Sequence, residues 1–296
     1  MVTPPETEAL KAALELAAGG RDVAELVRFT RGAQSANYAG RWSADGARFV
    51  LKLVPFARTK QYARLVDHLE KTAPGVVVRE SSPRLRFDCG EFRALVLDWC
   101  DGETLDFDGL CGFGEGVERL VADYRAFSAA IQGVTETYSA YDYRTWFAEI
   151  LDSPFAAVLP RDSAEVDFGL LERDTRVIHG DFQTDNLRFA GGRLTGVLDI
   201  EEFRLGSPLE DFARYVCQGV DRMSWWSRSR WRAVLAGVER LRLAAGASDA
   251  AWRAAVYGQL VWKVHKVIRK GETGGRRLLN LKWRLRKYPK LTGRMP

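Results

Sequence analysis

The sequence predicts an α+β chain, with a β-rich first third and a largely helical remainder. Three observations carry this expectation. Short apolar runs with strand character recur up to residue 97, the turn signal Asp45-Gly46 falls between two of them, and helical spacing dominates after Gly102. The length of 296 residues suits two lobes, and the 46% hydrophobic and 28% charged content is that of a globular protein.

Residues 8–18 have the spacing of a short amphipathic helix ended by Gly19-Gly20. Val27 and Phe29 mark a strand, 38–42 a second, and 49–54 a third that carries Lys52. Residues 59–71 place Tyr62, Leu65, Val66 and Leu69 on one helical face. Two more strands are expected at 76–78 and 92–97, which completes a small antiparallel sheet with one helix. Residues 115–132 and 143–151 then have helical spacing. VIHGD and TGVLDI are short β segments. From 209 onward the chain reads as helices, over 228–245, 249–269 and 276–287 among others. The expected organisation is a β-rich lobe over 1–97, a hinge over 98–102, and a mainly helical lobe over 103–296.

No apolar run of membrane-spanning length is present, and MVTPPETEAL lacks the basic and apolar pattern of a signal peptide. Cys89, Cys100, Cys111 and Cys217 are scattered, without ligand spacing, as reduced thiols of a cytoplasmic protein would be. The net charge of +5 is uneven. Residues 263–294 hold twelve Lys/Arg against one acid, Glu272, so this stretch is near +11 and the rest near −6.

The chemistry concentrates in HGDFQTDN, residues 179–186, and the GVLDI that follows. Asn186 stands five residues after Asp181, and Asp199 thirteen after Asn186. Two oxygen ligands and a further carboxylate suit Mg²⁺, which prefers oxygen and keeps waters and substrate phosphates. A lone acid in a run as apolar as GVLDI is costly unless a cation neutralises it. The small residues of GAQSANY, 32–38, sit between two strands, where backbone N–H groups can approach an anion.

Together, VIHGDFQTDNLRF and GVLDIEEFRLGSPLEDFA resemble the aminoglycoside phosphotransferase and choline kinase group, small-molecule kinases with a protein-kinase-like fold of two lobes. With the 32–37 loop, Lys52 and the hinge-like LVLDWCDGETL, the resemblance covers roughly 27–216. It implies ATP and Mg²⁺ as cofactors. It implies Asp181 as catalytic base, Asn186 and Asp199 as metal ligands, and Lys52 on the α- and β-phosphates. Gly32, Gln34, Ser35 and Asn37 would cover the triphosphate, and the backbone of Asp98 and Cys100 would bind adenine. His179 and Asp211 would support the catalytic loop. Two departures stand out. The helix after the strand lysine carries Gln61 or Tyr62 where relatives have a glutamate, with Asp67 and Glu70 further on, and YRAFSAAIQ lacks a histidine common in relatives.

The resemblance leaves the acceptor open among hydroxyl compounds such as a sugar, an amino alcohol or an antibiotic. Polycationic aminoglycosides want an acidic pocket, and the basic 263–294 stretch argues for a neutral or acidic compound. The missing glutamate raises the alternative of a nucleotide-binding pseudokinase. Leu278, Leu281 and Leu285 share one face of a basic helix, which either touches an anionic membrane surface, as a glycolipid or lipopolysaccharide sugar kinase would, or packs on its own lobe. Trp225, Trp226 and Trp231 fit either such a surface or a core. Glu201, Glu202 and Glu210 read as solvated acids. No nucleic-acid recognition module is visible.

Overall fold

The computed structural model describes residues 5–29, 36–56, 85–132, 139–200, 203–223, 228–271, 281–282 and 285–292. The chain forms two compact units. One is Met1–Asp101 with Gly196–Glu201, the other Gly102–Thr195 with Glu202–Pro296.

The first unit is built on a five-stranded antiparallel sheet. Its strands are β1 (Val23–Arg28), β2 (Ala36–Trp42), β3 (Arg48–Pro55), β4 (Leu85–Cys89) and β5 (Phe92–Asp98), in the order β1-β2-β3-β5-β4. Helix α1 (Thr7–Ala17) inserts Leu10 and Leu14 into a core with Val23, Tyr38, Leu51, Leu53, Ala94 and Val96. A Cβ on Gly40 would collide with the Phe49 ring, which lies across that backbone. Because side chains alternate along a strand, Phe49, Leu51 and Leu53 face the α1 side, and Lys52 is sent to the other. Pairing sets Asn37 opposite Lys52, and Lys52 opposite Leu95.

The structure extends the first expected strand to Val23–Arg28 and adds β4, whose alternation is too polar to read as a strand. β4 exists through its pairing with β5 at the sheet edge. The expected helix over 59–71 and strand over 76–78 lie outside the described residues.

The second unit is mainly helical. It contains α2 (Phe107–Cys111), α3 (Gly116–Ile131), α4 (Tyr143–Leu151), the short α5 (Gly169–Glu172), α6 (Pro208–Arg222), α7 (Arg228–Ala245) and α8 (Asp249–Arg269). Strand β6 (Arg176–Ile178) pairs with β9 (Arg204–Gly206), and β7 (Leu187–Ala190) with β8 (Arg193–Val197). Helices α4, α7 and α8 coincide with the expected bounds, since apolar periodicity marks all three, and Asp142 and Ser248 cap α4 and α8. Tyr124, Phe127, Phe182, Phe212 and Tyr215 are buried and touch one another edge-on or tilted.

Glu210 corrects the sequence reading. It is buried, ion-paired with Arg204 at 2.8 Å, and hydrogen-bonded by the Tyr143 hydroxyl at 2.6 Å. It also closes a capping box with Ser207, which starts α6 at Pro208. Glu201 and Glu202 lie outside the described residues, as do Trp225, Trp226 and Leu278. Trp231 is buried. So are Leu285, Tyr288 and Leu291, and the Trp252 indole donates to the Leu291 carbonyl at 2.9 Å. Among the described residues, no helix is long and apolar enough to cross a membrane.

Candidate active site

The expected site residues fall into two groups, one in each unit. In the first, the Lys52 ammonium donates to Asp199 Oδ1 at 3.1 Å. Asp199 follows β8 and has φ +60, the only positive φ at a described non-glycine residue. This left-handed backbone is uncommon away from glycine, and Asp, like Asn, is among the residues that tolerate it best. Asn37 Oδ1 is buried and has no hydrogen-bond partner among the described residues. Asp98 ends β5, and Cys100 is buried beyond it. Between these two residues, the Trp99 ring lies 3.5 Å beneath the Arg48 guanidinium. Gly32, Gln34 and Ser35 lie outside the described residues, as do Gln61, Tyr62, Asp67 and Glu70.

The second group is the 179–186 loop, which leaves β6 and closes with a short turn over Thr184–Asn186. Gly180 has φ +79, a conformation glycine adopts without a Cβ clash. This directs successive amides inward. His179 N and Gly180 N donate to the two Asp211 oxygens at 2.8 and 2.9 Å, and Tyr124 Oη adds a third bond at 2.7 Å. Burial pushes the Asp211 carboxyl above its usual range, against the lowering pull of His179, Tyr124 and Arg204. The same burial, with the Asp211 charge beside it, pushes the Tyr124 phenol well up. The buried His179 ring accepts the Asp181 N–H on Nδ1 at 3.1 Å.

These contacts fix the Asp181 side chain. Asn186 Nδ2 donates to the Asp181 carbonyl and to Asp181 Oδ2, both at 2.9 Å. Gln183 Nε2 adds a bond to Oδ2 at 3.0 Å. With its amino group committed to Asp181, Asn186 keeps its amide oxygen for another partner. Arg214 is ion-paired with Oδ1.

Sequence reasoning missed Arg214, Gln218 and Arg222, which share one face of α6 with Asp211. Gln218 accepts from Thr184 N at 2.7 Å and donates to Gln183 at 2.9 Å. Arg222 holds Asp185 at 2.9 Å and Asp106 at 3.1 Å. The spacing 211, 214, 218, 222 follows one helical stripe, and that was the available signal. A fourth missed residue, Gln132, brackets Val177 with bonds to its carbonyl (3.0 Å) and N–H (3.1 Å), which steadies β6.

A five-stranded antiparallel sheet, a helical unit and an aspartate loop braced from a following helix define a protein-kinase-like α+β protein of two lobes. The family model described as "Phosphotransferase enzyme family" matches residues 25–255, and the chain belongs to that family. No curated protein sequence matches it. Its fold is that of solved phosphotransferases. The apoenzyme of macrolide 2'-phosphotransferase MphH from Brachybacterium faecium is 17% identical, over 95% of this chain and 98% of that one, with a TM-score of 0.57. A thermostable mutant of aminoglycoside phosphotransferase APH(4)-Ia, in complex with ADP and hygromycin B, is 16% identical over 96% and 98%, at 0.59. APH(3'')-Id from Streptomyces rimosus, in complex with ADP and streptomycin, is 15% identical over 87% and 99%, at 0.56.

Proposed function

We propose that this chain is a Mg²⁺- and ATP-dependent kinase that phosphorylates a hydroxyl group of a small molecule. The observation that carries the reading is the set of bonds around Asp181. Its loop is pinned by Asp211, and Oδ2 is oriented by Asn186 and Gln183. A base in phosphoryl transfer needs such fixed orientation, because positioning and charge stabilisation supply most of the catalysis. Asp181 orients the acceptor hydroxyl and takes its proton as that oxygen bonds the γ-phosphorus and the bond to the ADP oxygen breaks. Lys52 binds the α- and β-phosphates, the 32–37 loop covers them, and the backbone of Asp98 and Cys100 receives adenine. His179 and Asp211 position the loop.

The donor chemistry fits Mg²⁺. Among the described residues, no three His, Cys, Asp or Glu side chains converge into a cage. A hard cation bound through few protein oxygens and the substrate's phosphates needs none. The Asn186 amide oxygen and the Asp199 carboxylate would hold it, and the bound ion supplies positive charge against the phosphate oxygens. The nucleotide and antibiotic complexes of the structural neighbours support a nucleotide donor and a small-molecule acceptor. The free cysteines fit a cytoplasmic setting.

The test is γ-phosphate transfer from Mg·ATP across a panel of hydroxyl compounds, read by ³¹P NMR. Transfer that depends on Asp181 is expected. Turnover that survives Asp181→Asn would refute the role assigned to that residue.

A further inference from the structure

The kinase reading leaves one neighbour of Asp181 unused. The Arg214 guanidinium is ion-paired with Asp181 Oδ1, and it lies 4.1 Å from the centroid of the Trp262 ring. Lys266 lies over the same indole at 4.7 Å. Arg214 Nε is buried and finds no acceptor among the described residues, so the protein does not saturate the fork. An acceptor hydroxyl that reaches Asp181 therefore comes beside the Arg214 guanidinium, which shares one aromatic ring with a second cation, Lys266. Among the described residues, three further carboxylates of this unit are committed elsewhere. Asp106 and Asp185 are held by Arg222, and Asp221 by Lys263. An ammonium-rich acceptor would meet like charge here and find those acids occupied, whereas an anionic one would meet a planar fork that matches carboxylate and phosphate oxygens.

We infer that the acceptor carries an anionic group, carboxylate or phosphate, near the hydroxyl it presents, and that Arg214 binds that group. The inference rests on the kinase reading, since it takes Asp181 as the place where the hydroxyl docks. Arg214 is then the residue that sets specificity, and Trp262 holds its guanidinium in place.

Matched acceptors test this: gluconate against glucitol, glycerol 3-phosphate against glycerol, and kanamycin as a polycation. Each is measured by calorimetry on protein loaded with Mg·AMP-PNP, and by ADP release with Mg·ATP. The anionic member of at least one pair is expected to bind about tenfold more tightly than its neutral partner. Arg214→Gln should erase that ratio through the KM or dissociation constant of the anionic member, and Arg214→Lys should restore part of it. The two pairs separate a carboxylate from a phosphate preference. Neutral acceptors or kanamycin binding at least as tightly as the anions would overturn the inference, as would an Arg214→Gln loss equal for both members. Either result leaves the kinase reading intact, whereas failure of the protein to bind Mg·AMP-PNP or to transfer phosphate removes that reading itself.

Discussion

Lys52 and Asp199 lie 147 residues apart in sequence and meet at 3.1 Å, with the lysine side chain 2% exposed and the carboxylate 41%. A lysine so buried is held by its pairing, while the more open acid can turn to another cation. Replacing Lys52 by Met should lower kcat/KM by on the order of 10²-fold, the loss expected when one preorganised charge is removed. Because Asp199 remains partly in water, the stability change should be within about 1 kcal/mol. Steady-state kinetics and thermal unfolding of the same preparation separate the two effects.

Asp181→Asn removes the proposed proton acceptor but keeps the shape of the side chain. Turnover should fall by roughly 10²–10⁴, the contribution of a positioned base. Nucleotide affinity should be retained, since no phosphate contact is assigned to this residue. Single-turnover rates and nucleotide titrations check both statements.

Asp211 receives three donors on two oxygens, and an amide cannot serve all of them. Asp211→Asn should destabilise the protein by about 2–3 kcal/mol, because a buried donor is left facing an NH₂ group. Tyr124→Phe removes a single bond and should cost about 1 kcal/mol. Urea unfolding followed by circular dichroism distinguishes the two.

The buried Arg204–Glu210 pair is flanked by the Tyr141 ring, 3.7 Å from the guanidinium, and by the Tyr143 hydroxyl. Burial works against the Arg204 charge, but Glu210 and the two tyrosines more than offset it. Glu210→Ala should destabilise by about 3–5 kcal/mol, since it strands a buried guanidinium. Glu210→Gln, which can still accept a hydrogen bond, should fall between that variant and the parent in denaturant midpoint.

Asp142 caps α4 by accepting from Thr145 N at 3.0 Å, and that bond, with one from the Thr145 hydroxyl, holds its carboxyl below the usual range. A carboxyl lowered on folding stabilises the fold above its unfolded value, and the increment disappears as pH falls through the lowered one. Asp142→Ala should cost about 1 kcal/mol at neutral pH. The two proteins should converge in stability as pH drops below the normal aspartate range, as thermal unfolding across pH 2–7 would record.

The sequence made the fold class legible because the early strands alternate and the late helices carry caps. Lys52, Asp181, Asn186 and Asp199 could be picked out because each interrupts or follows an apolar run, where a polar group needs a reason to be. Arg214 and Glu210 could not, because polar residues on a helix default to solvent and only tertiary packing buries them. β4 was invisible for a related cause: its strand status is conferred by β5, a non-local pairing that local pattern does not encode. The 59–71 helix, where a partner for Lys52 was sought, lies outside the described residues.

Lys287 is fully buried, and its ammonium donates to the carbonyls of Val220 and Met223, where α6 ends. That helix carries Asp211 and the stripe that braces the 179–186 loop. During synthesis the ribosome makes Met223 long before Lys287, so on a nascent chain those carbonyls await their cap. Maturation of the loop geometry is thereby tied to a residue more than a hundred positions downstream of Asp181, and nascent chains halted short of Lys287 should remain protease-sensitive around α6.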